Sequence, residues 1–153
     1  MKKLKEEIVR FFHNQGFVIV STIDKNGFAH CACKGIVKIE PCGRVYLLDV
    51  YRKKTFENLK INPRITITAV DEHKFSGYCL KGKMQMLPEG KIKDELVKAW
   101  EERITSRLTQ RLLKNIHEER GHPHHPEVLL PKPEYLIEME VEEIVDLTPQ
   151  HIR

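Results

Sequence analysis

Six apolar segments rich in β-branched and aromatic residues, each bounded by a turn signal, constrain this chain more than any other feature. They are Phe17 to Asp24, Phe28 to Glu40, Arg44 to Val50, Arg64 to Asp71, Phe75 to Leu87 and Tyr135 to Leu147. Runs of this length and composition read as strands. Asn26-Gly27 is a strong hairpin turn, Pro41-Cys42-Gly43 supplies the next, Asp71 to Lys74 is a polar turn, and Pro88-Glu89-Gly90 ends the fifth strand. The second segment is long enough to bend or change sheets. In the fifth, Tyr78, Leu80, Gly82, Met84 and Met86 share one face. In the sixth, Tyr135, Ile137, Met139 and Val141 alternate with Leu136, Glu138, Glu140 and Glu142, a strand with one wet face. Strands joined mostly by hairpins make an antiparallel sheet, and closing that sheet removes its exposed edges. The expected fold is mainly β, a six-stranded antiparallel barrel with α-helices outside, in a single domain over residues 1–153.

Helical periodicity occurs in three places. Leu4, Ile8, Phe11, Phe12 and Gln15 mark one face of a first helix that Gly16 ends. A brief helix, Phe56 to Ile61, is stopped by Asn62-Pro63. Ile92, Leu96, Trp100, Ile104, Leu108, Leu112 and Ile116 recur every four residues, so Lys91 to Glu119 is helical, as one rod or as two pieces broken near Thr105. That apolar stripe needs a surface to lie on.

Composition narrows the function class. With 41% hydrophobic and 31% charged residues, the chain is of the soluble globular kind, and no apolar run approaches the roughly 20 residues of a membrane span. The first residues, MKKLKEEIVRFF, read as an amphipathic helix and not a signal peptide, which leads us to expect a cytoplasmic protein without membrane contact. A net charge of +4 is too mild and dispersed for nucleic-acid binding. Cys31, Cys33, Cys42 and Cys79 form no CxxC pair, and reduced, mostly buried thiols are expected. His117, His122, His124 and His125 cluster without a helical or strand register to aim their rings, so a solvated loop is expected and no metal ligands are assigned.

The chemistry gathers in the stretch between the third and fourth strands. Arg52, Lys53 and Lys54 run into Thr55, whose hydroxyl is placed to cap the short helix. A helix start offers unpaired N–H donors at the positive end of the dipole, and lysines add charge, so an anion such as phosphate suits it. Basic loops are more commonly solvated surface, and residues elsewhere have to decide between the two.

The order of FVIVSTIDKNGFAHCAC, GRVYLLDVYRKKTFENLKINPRITI and GYCLKGKMQML resembles the pyridoxamine 5'-phosphate oxidase-related FMN-binding split barrels. The resemblance implies a six-stranded Greek-key split barrel, a homodimer, and FMN held in grooves between the two subunits. By position it gives Lys54 and Thr55 the cofactor phosphate, with Lys53 and Arg52 as supporting cations. Ala32, Cys33 and Lys34 would line the isoalloxazine ring, and Asp49, Val50 and Tyr51 would lie under the ring or ribityl chain. The chain departs from the namesake oxidases at its end: it closes with IVDLTPQHIR, and its tryptophan, Trp100, lies within a helix. The implied function is therefore an FMN-dependent oxidoreductase other than a vitamin B6 oxidase, a flavin reductase or an electron carrier. No side chain is assigned a catalytic role, because hydride passes directly between a nicotinamide and a flavin ring. A small-molecule donor or acceptor is implied, with NADH, NADPH or a protein left open. The rival reading is a haem- or metal-binding split-barrel module without turnover of its own.

Overall fold

A computed structural model of the protein describes residues 1–88, 92–116, 133 and 135–152. Seven strands form one sheet: β1 Val18–Ile23, β2 Ala29–Lys34, β3 Ile36–Ile39, β4 Arg44–Asp49, β5 Arg64–Asp71, β6 Ser76–Pro88 and β7 Tyr135–Asp146. Their order is β2-β1-β5-β6-β7-β4-β3, and every pair is antiparallel. Among the described residues three α-helices accompany them, α1 Glu6–His13, α2 Lys54–Ile61 and α3 Asp94–Ile116, with a short 3-10 helix at Gln150–Ile152.

The count of six strands is corrected to seven because the segment Phe28 to Glu40 divides at Gly35. β2 pairs with β1 and β3 pairs with β4, so the chain leaves one edge of the sheet and enters the other through a single residue. Two edges joined by one glycine force the sheet to curl back on itself, and a split barrel results. The seam at Gly35 carries no ladder of its own.

The interior holds Val20, Leu47, Ile67, Leu80, Ile137 and Met139, all fully buried, together with Ile8 and Phe12 of α1 and Leu59 of α2. At Gly82 the β6–β7 register shifts, and a Cβ there would run into the carbonyl oxygen of Glu140. A second apolar cluster lies on the outside, where Leu96 of α3 meets Val37, Tyr46, Leu48 and Leu136, flanked by Ile92 and Trp100. Leu136, expected on a wet face, is 1% exposed because α3 covers it. Of the described residues in the expected stripe, Leu96 is buried, Ile92, Trp100, Ile104 and Leu108 are half-buried, and Leu112 is exposed.

Smaller expectations are also adjusted. The third helix is unbroken at Thr105, whose hydroxyl donates to the Glu101 carbonyl 2.9 Å away. α1 ends at Asn14, not at Gly16, and Asn14 remains in the right-handed region. Cys31, Cys33 and Cys42 are exposed rather than buried, since β2 turns Cys31 and Cys33 outward on an edge strand and Cys42 lies in the turn between β3 and β4. Among the described residues no helix is long and apolar enough to cross a membrane. The histidine cluster, His117 to His125, and Leu129-Leu130 lie outside the described residues.

Candidate functional site

The start of α2 is held firmly from below. Asn58 Nδ2 donates to Thr22 Oγ1 at 3.0 Å with both residues buried, and Leu59 enters the core. The helix begins earlier than expected, at Lys54, with the extended residue Lys53 as its N-cap and no side-chain cap bond. The capping role given to the Thr55 hydroxyl is corrected accordingly: Thr55 is the second helical residue, 5% exposed. Burial of Thr55 beside the barrel overrides its preference for a cap. The first backbone bond runs from the Glu57 N–H to the Lys53 carbonyl at 3.1 Å. The N–H groups of Lys54, Thr55 and Phe56 therefore have no acceptor within the helix.

The cations around this start do not all converge on it. Lys53 Nζ sits 5.0 Å from the centre of the Tyr51 ring, and the Arg52 guanidinium 5.6 Å from that of Phe56. Lys54 acts on the β1–β2 turn, where the Asp24 carboxyl is held below its ordinary value by the N–H of Phe28, then by that of Asn26 and by the charge of Lys54.

A buried polar triad bridges the seam. Lys34 Nζ lies 2.5 Å from Asp49 Oδ2, and the Tyr135 hydroxyl donates to the same oxygen at 2.6 Å. Asp49 is 6% exposed. An ion pair so enclosed contributes little net stability, yet removing one partner strands the other charge. Its placement matters more, for it ties β2 to β4 and β7 where no ladder does. The family resemblance implies that Lys34 lines the isoalloxazine ring and that Asp49 lies under the ring or ribityl chain; the structure brings the two together as a pair. Tyr135 was missed, although an aromatic hydroxyl opening the inner face of a strand needs a partner once buried.

Outside the seam lies a cleft of about 250 Å³. Cys33, Lys34, Asp49, Val50 and Tyr51 line it on the barrel side, and Trp100, Arg103, Ile104 and Arg107 of α3 on the other. Five expected residues thus share one cleft. Ala32, across from Val20 on the inner face of β2, does not line it. Neither do Arg52, Lys53, Lys54 and Thr55, which stay with the start of α2. Sequence reasoning also missed Arg103 and Arg107. Their only signal was a spacing of four residues beside Trp100 and Ile104, which puts all four on one side of a helix.

Comparison with known proteins places this architecture. Residues 4–145 match the pyridoxamine 5'-phosphate oxidase family. An uncharacterized protein of Methanocaldococcus jannaschii is 31% identical over 102 residues, 63% of this chain and 67% of its own. HupZ of Group A Streptococcus has a similar structure, with a TM-score of 0.64 at 17% identity over 95% of this chain and 94% of that one. An F420 reductase gives a TM-score of 0.53 at 10% identity over 84% and 88% of the two chains. HutZ, the haem storage protein of Vibrio cholerae, gives 0.53 at 16% identity over 94% of each. At such identities the structural likenesses concern the fold. With the match spanning nearly the whole length of a seven-stranded split barrel, the chain belongs to the pyridoxamine 5'-phosphate oxidase family.

Proposed function

We propose that the protein is an FMN-binding flavoprotein, a flavin reductase or electron carrier, working as a homodimer. The observation that carries this reading is the start of α2, where three backbone N–H groups lack helical acceptors beside Lys54 on a helix pinned to β1. Such a start accepts a phosphate without rearrangement, because donors and dipole point one way and nothing caps them. In this proposal Lys54 and the backbone of Thr55 hold the phosphate, with Lys53 and Arg52 adding positive potential. Cys33, Lys34, Asp49, Val50 and Tyr51 line the ring and ribityl chain, with Ala32 behind them. Bound FMN would supply hydride and single-electron transfer. The Lys34–Asp49–Tyr135 triad would keep the neighbouring strand ends in place and fix the Lys34 charge. The likeness to an F420 reductase supports a flavin-type ligand on this fold.

Ligand discrimination tests the reading. FMN carries a phosphate of nearly two negative charges and riboflavin none. A charge-assisted hydrogen bond to an anion contributes on the order of 1.5 to 3 kcal/mol, so Lys54→Ala should weaken FMN roughly ten- to a hundredfold. Riboflavin should be barely affected. Fluorescence titration of both ligands against both proteins gives the comparison, and equal losses would assign Lys54 to stability instead. An absorbance spectrum of the purified protein decides the class: twin visible bands are expected, and a Soret band would make it a haem protein.

A further inference from the structure

Cys31 and Cys33 stand two residues apart on β2, and the register against β1 puts both on the outer face, opposite Ser21 and Ile19. Both are exposed, and neither is disulfide-bonded. Cys31 Sγ lies 3.4 Å from Ser21 Oγ. β2 ends the sheet, and Cys33 borders the cleft at the seam, so the pair is reached from the side as well as from above. The nearest outward positions, Ile19, Ile23 and Ala29, are uncharged. The other two cysteines are elsewhere. Cys42 lies in the β3–β4 turn, its thiol 3.6 Å from Glu40 Oε2. Cys79 is three strands away from Cys33 along the sheet order, about 14 Å at the usual strand spacing.

Spacing decides what such a pair can hold. Two residues of strand advance about 6.6 Å, and side chains on one face keep that separation at Cβ. A disulfide needs Cβ atoms about 3.5 to 4.5 Å apart, so closing one here would distort the strand. A metal ion held in line between two sulfurs asks for less. Two metal–sulfur bonds of about 2.3 Å set the sulfurs about 4.6 Å apart, and each has only to lean inward by about 1 Å. Thiolates suit copper(I) and zinc. Zinc takes four ligands, and no third His, Cys, Asp or Glu joins the pair among the described residues. Copper(I), with its filled d shell, is content with two. We propose that Cys31 and Cys33 form a two-coordinate thiolate site for one copper(I) ion per chain. Binding replaces two S–H bonds with two Cu–S bonds and releases two protons, and the ion keeps its oxidation state. The Ser21 hydroxyl donates to the Cys31 sulfur once that sulfur is a thiolate, and a hydrogen bond to a charged acceptor is of the stronger kind. The site does not rest on the proposed flavoprotein function. Cys33 belongs to both, so the test reads copper and thiols and not activity.

The full-length protein, reduced and kept free of oxygen, is titrated with copper(I) in competition with the chromophoric chelator bicinchoninate. Its reactive thiols are counted with Ellman's reagent before and after loading. One ion per chain is expected, shielding two of the four cysteines. Cys31→Ser and Cys33→Ser should each weaken binding more than about a hundredfold, since even a residue that only hydrogen-bonds a metal ligand contributes ten- to a hundredfold. Cys42→Ser and Cys79→Ser should take up copper as the wild type does. Because Cys31 and Cys33 are exposed, their serine variants should keep the circular dichroism of the wild type, and a loss then reports ligation and not unfolding. No competition with the chelator, one ion for two chains, or undiminished binding in Cys31→Ser or Cys33→Ser would each overturn the site. Copper bound while all four thiols stay reactive would also overturn it, by placing the ion on the histidines.

Discussion

Asn58 and Thr22 form a buried hydrogen bond of 3.0 Å that sets where α2 begins relative to β1. Thr22→Val keeps the shape and removes the acceptor, leaving a buried amide donor unsatisfied. The expected cost is about 1 to 3 kcal/mol, measured by urea denaturation, whereas Thr22→Val combined with Asn58→Leu should recover part of it by removing both polar groups. A double variant no better than the additive sum would show that the two side chains do not act as a pair. At this scale the sequence was readable where chemistry is local and opaque where it is distant. Basic residues and a following helix could be seen in RKKTFENLK, but the anchor of that helix lies across the fold on another strand. Thr55 illustrates the same limit. Capping preference favours Thr over Lys at a helix start, and only the packing of α2 on the barrel reveals that Thr55 is inside the helix and buried. The Lys34–Asp49 pair likewise joins two residues named separately, because no strand periodicity reports which interior charges meet.

Strand faces were read correctly wherever one side is interior and the other exposed. Leu80, Gly82 and Met84 on β6 and Ile137, Met139 and Val141 on β7 are all buried, as a period of two requires. The reading failed where both faces are covered, as at Leu136, and where one apolar run serves two edges of a sheet, as at Gly35. Gly82 was identified as part of an inward face, yet its requirement is different. The register shift brings the Glu140 carbonyl to where a Cβ would be, and the methyl of Met139 is 3.1 Å away. Gly82→Ala should therefore cost about 1 to 3 kcal/mol through overpacking. Gly16→Ala, where a Cβ would meet nothing within 4 Å, should shift stability by no more than about 0.5 kcal/mol. Chemical denaturation of the two variants checks the contrast, and equal effects would mean that β6 and β7 can slide to accommodate a side chain.

The outside of the barrel is treated unequally. α3 covers β3, β4 and β7 and borders β2 at Cys33, whereas most of the outer face of β2, β1 and β5 stands exposed among the described residues. That bare face presents Ile19 at 45% exposure, Ile23 at 41% and Val70 at 62%, with Cys31, Cys33, Ser21 and Thr68 among them. An antiparallel sheet with a solvated face ordinarily alternates polar residues outward. Here the outward positions from Ala29 to Cys33 and from Ile19 to Ile23 carry no charge. Apolar patches of this kind mark interaction surfaces, and a second copy of the chain is the simplest cover, as a two-fold axis pairs the patch with itself. Light scattering at micromolar concentration should report about twice the chain mass. Ile19 lies between Cys33 and Thr68 at the middle of the patch, so Ile19→Lys should leave the monomer folded and separate the dimer through two facing charges. Because the proposed flavin groove is built from both subunits, the same variant should lose FMN while its circular dichroism stays that of the wild type. A wild-type monomer that retains flavin, or a dimer that survives Ile19→Lys, would place the cofactor within one barrel and leave the bare face to another partner.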